Sequence, residues 1–207
     1  MIPTPARPPV IRAVTPDDLD SLYEIGLRTG DAGGDASALY ENPRLLGEIY
    51  VGPYVMMPEG IGFVALDGDG PAGYVLAAAD TRRFEAECEA RWWPAFRARY
   101  PDPGLNPTTP DEELIALIHR PEVARDDVVA RFPAHLHIDL LPRLQGRGAG
   151  RIMMDRILTA LASRGATGVH LGADAGNRRA IGFYHHLGFS TLEADDLEVV
   201  MGLRLVD

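Results

Sequence analysis

The chain has 207 residues, 46% of them hydrophobic and 24% charged, and carries a net charge of −10 at pH 7. That length suits one domain with a proper core, and the acidic balance argues against a nucleic-acid-binding or anionic-membrane role. A single cysteine, Cys88, excludes an internal disulfide framework and a cysteine-based zinc knuckle, and no apolar run of about 18 residues is present to cross a bilayer.

Residues 1–9 are Pro-rich and read as a flexible lead-in to one domain spanning 1–207. Met1-Ile2-Pro3-Thr4-Pro5 is not a signal peptide, so the chain is expected in the cytoplasm. Val10–Val14 reads as a first strand. Thr15-Pro16-Asp17-Asp18 then has the chemistry of a helix start: an N-cap, proline at the first helical position and acids in the first turn. Leu19, Leu22, Tyr23 and Ile25 form its apolar stripe. Residues 29–35 read as a loop, either a connector or an acidic lip on a pocket. Asn42-Pro43 restarts a helix to about Tyr50, and 51–59, with Pro53 and Pro58, reads as irregular.

Residues 61–66 and 72–79 flank Asp67-Gly68-Asp69-Gly70-Pro71, a hairpin signal. One helix is expected from about Arg82 to Arg99, carrying Phe84, Trp92, Trp93 and Phe96. Thr109-Pro110-Asp111-Glu112 opens a second, and Glu122–Ala130 makes a third. Residues 81–132 are therefore a helical insert between strands, with Cys88 a structural residue within it. Leu136, Ile138 and Leu140 alternate with His135, His137 and Asp139, a period-two strand with one polar face. Met153, Ile157, Ala160 and Leu161 give the next helix one apolar side. A strand over 168–173, a helix from the N-cap Asn177 to His186 or Leu187, and a closing hairpin over 189–192 and 198–205 complete the chain. The class is α/β (α+β): a mixed central sheet of about six or seven strands flanked by helices, with the insert between strands 3 and 4.

Leu140-Leu141-Pro142-Arg143-Leu144-Gln145-Gly146-Arg147-Gly148-Ala149-Gly150-Arg151 joins that polar-faced strand to a helix. Glycine backbone approaches a ligand closely, and the first amides of a helix carry partial positive charge without intrahelical partners. The stretch is an anion cradle, and phosphate is the natural anion. A dinucleotide fingerprint fails, because the sixth position, counting Gly146 as the first, is Arg151. A P-loop fails because all twenty basic residues are Arg and the chain has no Lys.

Gln145-x-x-Gly148-x-Gly150 does match a known pattern. With the downstream run Asn177-Arg178-Arg179-Ala180-Ile181-Gly182-Phe183-Tyr184-His185-His186-Leu187-Gly188-Phe189, it resembles the GCN5-related N-acetyltransferase (GNAT) superfamily. Asp80-Thr81-x-x-Phe84, Trp92-Trp93-Pro94, Arg97, Tyr100-Pro101 and His137-Ile138-Asp139-Leu140-Leu141-Pro142 are similar to the acetyltransferase-like C-terminal domain of O-GlcNAcases and its free-standing bacterial relatives. The animal domain is regarded as a pseudo-acetyltransferase with a degraded cofactor loop; here the loop is intact.

The resemblance implies an acetyl-CoA-dependent acyltransferase moving acetyl directly to a primary amine, with no metal. Backbone amides of Gln145, Gly146, Arg147, Gly148, Ala149 and Gly150 would hold the pyrophosphate, and Arg147 and Arg151 would add charge. Backbone groups of Leu140 and Leu141, where the strand splays from its neighbour, would pair with the pantetheine arm, which Asn177 would also reach. Tyr184 would protonate the leaving thiolate, and His186 stands near the expected ribose phosphate. Candidate bases are Asp139, His137 and Asp174, with Asp80 behind them. Asp31, Asp35, Asp80, Asp139 and Asp174 could gather at one mouth and favour a cationic amine, and Trp92 and Trp93 either wall it or anchor the insert. Acceptors left open are a small cationic amine, an aminosugar and a protein amine. A homodimer is compatible with the sequence. The rival reading is a non-catalytic acetyl-CoA-binding or protein-interaction module.

Overall fold

The computed structural model describes residues 9–205, so the expected lead-in lies, except for Pro9, outside the described residues. Its centre is β3, Gly70–Ala78, a strand buried on both faces. Val75 and Ala77 face one cluster, built on Met153, Ile157 and Leu161 of α8 (Ala149–Ser163). Tyr74 and Leu76 face another, built on Leu22 and Ile25 of α1 (Leu19–Leu27). Alternate side chains of a strand point to opposite faces, so a continuous apolar run suits a strand covered on both sides.

Around β3 the sheet has seven strands in the order β1-β2-β3-β4-β5-β7-β6. They are β1 Val10–Ala13, β2 Gly60–Asp67, β4 Ala134–Leu140, β5 Gly168–Asp174, β6 Ser190–Ala194 and β7 Glu198–Arg204. All neighbours are antiparallel except β4 and β5, which are joined by α8 as a crossover. This is the expected mixed sheet, with β7 inserted between β5 and β6. Helix α9, Arg178–His186, packs on the α8 side through Tyr184. On the other face lie α1, α2 (Leu45–Tyr50), α3 (Gly52–Met56) and the insert. No helix among the described residues is long and apolar enough to cross a membrane.

The insert comprises α4 (Thr81–Glu87), α5 (Trp93–Arg99), α6 (Pro110–His119) and α7 (Asp126–Arg131). Three details differ from the sequence reading. The expected helix over 82–99 contains a π-helical segment at Cys88–Trp92, closed by the Trp93 amide on the Cys88 carbonyl. Pro94 follows at once; it has no N–H to continue the normal ladder, and the wider turn absorbs that loss. The helix expected from Glu122 starts only at Asp126, because the Ala124 amide is drawn to Glu85 Oε1 at 2.9 Å. Residues 52–56, expected to be irregular, form α3 with Pro53 in its first turn. Cys88 is buried in the insert cluster, and burial pushes its thiol up to about 12, so it is a packing residue.

The edge strand is tied down by charge. Arg12 grips Asp18 with two bonds of 2.7 and 2.6 Å, and Asp18 also accepts the Thr15 amide at 2.8 Å. The Arg12 hydrogen bond holds the Asp18 carboxyl near 2, below its ordinary 3.8. A depressed folded value stabilises the fold above the unfolded value and is lost as pH falls toward 2. Arg12 is partly solvated, so the pair is worth about 1–2 kcal/mol rather than the full shift. Arg12→Ala is therefore expected to lower the thermal midpoint at pH 7 by several degrees. Its deficit should shrink at the lowest pH where both proteins still fold, as followed by thermal melts across pH.

Candidate active site

The site begins where two parallel strands part. β4 and β5 pair only at Ala134–Val169 and His135–His170; beyond that they splay. A hydrogen bond from the Leu141 amide to the Ala72 carbonyl, 2.9 Å, makes these opposed residues a bonded pair. Bonded and non-bonded pairs alternate along an antiparallel ladder. Asp139, opposite Tyr74, is therefore bonded to β3, while the main-chain groups of Ile138 and Leu140 point into the opening. This corrects one expectation. Leu141 has no free amide to offer, and the Leu140 carbonyl already accepts Gln145 Nε2 at 2.6 Å. Ile138, not singled out in the sequence, holds the free strand edge together with the Leu140 N–H.

The glycine stretch folds as a short 3₁₀ turn, Pro142–Leu144, then a loop, then α8. Gly146 and Gly148 have φ of 71° and 79°, a region that residues with a Cβ rarely occupy. That backbone turns successive amides outward. Among the described residues, no acceptor meets the amides of Gly146, Arg147, Gly148, Ala149, Gly150 or Arg151. Six donors at the N-terminus of a 15-residue helix match the oxygens of a pyrophosphate. Arg147 and Arg151 are exposed beside them. Arg179 of α9 also reaches the loop, bonding Gln145 Oε1 at 2.5 Å. His186 is exposed at the end of α9.

At the splay a cleft of about 440 Å³ runs between the sheet and the 29–34 loop. Its wall includes Asp139, Asp174, Asn177 and Tyr184, so four expected site residues meet there. Asn177 caps α9, accepting the Ala180 amide at 3.0 Å, while its Nδ2 lies against Gly33. Asp174 Oδ1 accepts the Gly176 amide at 2.8 Å. Tyr184 is buried between Phe183 and Phe189 and makes no hydrogen bond to the described residues. Burial, with a smaller push from Asp139, raises its phenol above the ordinary 10 and keeps it protonated. Tyr74, which the sequence reading did not single out, is fully buried directly across from Asp139, and burial, then the Asp139 charge, push its phenol well up. Only the register of β3 against β4 brings the two together.

Other expected residues lie elsewhere. Asp80 caps α4 by accepting the Arg83 amide at 3.0 Å. It is near the Ala78–His135 end of β4, about 13–17 Å from Asp139 at the usual strand rise. Asp35 turns back to the Ser37 amide. Trp92 donates to the Glu48 carbonyl at 2.8 Å and Trp93 is buried in the insert cluster, so both anchor the insert. His135 is bonded at both ring nitrogens, to Tyr54 and Thr81. The acidic rim is instead completed by Glu198, which folds over Gly172. Burial and nearby Glu122, Asp195 and Glu193 push its carboxyl up. Tyr50, partly exposed, stands on the same rim.

Residues 35–189 match the acetyltransferase (GNAT) family. The chain belongs to the GNAT family. This member is 41% identical to the protein in the crystal structure of SsHAT, with a TM-score of 0.89, covering 97% of this chain and 100% of that one. It is 27% identical over 180 residues to protein O-GlcNAcase of Rattus norvegicus, which covers 86% of this chain but only 20% of the relative. The GNAT chain thus spans about a fifth of that curated relative. A GNAT superfamily phosphinothricin acetyltransferase from Sinorhizobium meliloti, solved with AcCoA, shares the fold at a TM-score of 0.60 and 16% identity, over 97% of this chain and 90% of that one.

Proposed function

We propose that this GNAT protein is an N-acetyltransferase that moves the acetyl group of acetyl-CoA to a primary amine by direct attack, as a single catalytic domain. What carries the reading is the junction of two features: six unbonded amides at the start of α8, and a splayed strand edge leading from them to a cleft holding Asp139, Asp174 and Tyr184. The pyrophosphate of acetyl-CoA sits on the amides, with Arg147, Arg151 and His186 beside it. The pantetheine arm runs along Ile138 and Leu140, with Asn177 across from them. The thioester then lies at the cleft.

An acceptor entering as an ammonium loses one proton to a carboxylate, Asp139 or Asp174. The neutral nitrogen forms the C–N bond at the thioester carbonyl. The C–S bond breaks, and the departing thiolate takes the Tyr184 proton. The nitrogen gives up a second proton to solvent and the carboxyl's proton returns through solvent to Tyr184, so the net products are an amide, free coenzyme A and a proton. Asp139 and Asp174 in the cleft wall, with Glu198 over Gly172, favour a cationic acceptor.

Calorimetry with acetyl-CoA and an amine panel test this reading. Binding is expected with a stoichiometry of about one, as one cradle requires. Diamines are expected to be acetylated with at least about tenfold higher kcat/KM than ω-amino acids of equal length, the ratio that 1.4 kcal/mol of charge discrimination gives. Binding without transfer to any amine would make the protein a non-catalytic acetyl-CoA module.

A further inference from the structure

His135 and His137 stand two residues apart on one face of β4 and both lie against Tyr54, at ring separations of 5.5 and 5.0 Å. Their bonding differs. Thr81 Oγ1 gives its proton to the Pro133 carbonyl, so it accepts from His135 Nδ1; His135 Nε2 then accepts from the Tyr54 hydroxyl, each bond 2.8 Å. That ring is closed. His137 makes no such bond among the described residues, and its buried Nε2 has no partner. Buried polar atoms in that state are few in native folds.

A neutral imidazole has one N–H and one lone pair. Burial lowers the His137 value and keeps the ring neutral. The Tyr50 main chain, at the end of α2, bears on the ring and favours its protonated nitrogen, as a carbonyl facing a ring N–H does. A lone pair remains, and His137 lines the cleft beside Asp139. Side chains at i and i+2 of a strand lie about 6.6 Å apart, a span that one nitrogen bridges with two hydrogen bonds of about 2.9 Å.

The geometry points to His137 as a catalytic residue on the acceptor side: its imidazole lone pair receives one N–H of the attacking amine while Asp139 receives the other. This rests on the acetyltransferase reading and deepens it. An attacking primary amine has two N–H groups to give and a lone pair to aim; a secondary amine has one N–H and leaves one acceptor unmet. The site therefore selects primary aliphatic amines over their N-methyl counterparts. Chemistry is unchanged from the sequence of steps above; His137 orients the nitrogen, and no proton rests on it.

The probes are n-butylamine, N-methylbutylamine and acetyl-CoA or coenzyme A, with the full chain. With coenzyme A bound, n-butylamine is expected to move the 15N resonance of the unprotonated His137 nitrogen upfield. Wild-type kcat/KM should favour n-butylamine over N-methylbutylamine by at least about tenfold, the effect of one unmet hydrogen bond in a closed site. His137→Gln, which keeps an acceptor and a donor, should stay within about threefold of wild type, whereas His137→Phe should lose at least about tenfold and most of the preference. Both should bind acetyl-CoA as wild type does, which excludes misfolding. An unmoved 15N resonance, or a folded His137→Phe enzyme with wild-type kcat/KM and preference, overturns the assignment. A shifted resonance in a wild-type protein that acetylates no amine supports amine binding at His137 and removes the transferase reading instead.

Discussion

Tyr184→Phe is expected to lower kcat by about 10²–10³-fold while leaving acetyl-CoA affinity within about twofold, the range for removing a general acid. The direction follows from where the hydroxyl sits. The ring is held by Phe183 and Phe189, which a phenylalanine satisfies equally. The hydroxyl has no hydrogen-bond partner among the described residues and faces the cleft, so its removal leaves no buried group unpaired. The folded state should therefore keep its midpoint within a few degrees. Burial holds the phenol protonated through neutral pH, as a proton donor to a thiolate requires. Pre-steady-state turnover with a thiol-detecting reagent, beside calorimetry with acetyl-CoA, checks both halves. Unchanged kcat removes Tyr184 as the acid; a loss in affinity alone makes it a cofactor-packing residue.

Gly148→Val is expected to weaken acetyl-CoA binding by about 100-fold or more. Gly148 precedes α8 with φ of 79°, where a β-branched residue is strained by roughly 1–3 kcal/mol. Relaxing that strain rotates neighbouring amides off the ligand, and two lost bonds to an anion, each worth about 1.5 kcal/mol or more, give the stated factor. The loop is exposed at Gly146, Arg147 and Gly148, and a Cβ on Gly148 meets nothing within 4 Å in the chain, so the fold itself should survive. Calorimetry reads the affinity, and a thermal melt without ligand reads the fold. A variant that binds acetyl-CoA normally would mean that the pyrophosphate does not rest on these amides.

Much of the architecture is legible in order along the chain. Hairpin chemistry at 67–71, the proline-led helix starts at 16 and 110, and the alternation of His135 to Leu140 each rest on neighbours in sequence. Local steric and hydrogen-bonding rules decide them. The cradle belongs to the same class, because a strand, a glycine-rich turn and a helix start are contiguous and their amides need no distant partner. So does the Asn177 cap, whose bond to Ala180 spans three residues.

Where local rules competed, the sequence reading slipped by a few residues. Pro94 widened a helix that continued, and the Glu85 carboxylate, 39 residues before the Ala124 amide it accepts, delayed the start of α7. The acidic mouth shows the larger gap. Composition suggested five aspartates, yet Asp80 and Asp35 spend their carboxylates on local amides. Glu198 lies over Gly172, a residue of the cleft wall, because β7 pairs with β5 and Gly172 leaves room for it.

By itself, then, the sequence determined the fold class, through local element signals, and the family, through the Gln145–Gly150 and Asn177–Phe189 motifs. Tertiary structure alone decided which side chains line the cleft. Tyr74 meets Asp139 through the register of β3 on β4, 65 residues apart in the chain. His135 is closed and His137 is left open because Thr81 of the insert reaches one ring and not the other. Those are contacts between segments remote in sequence, and only the packed sheet brings them together.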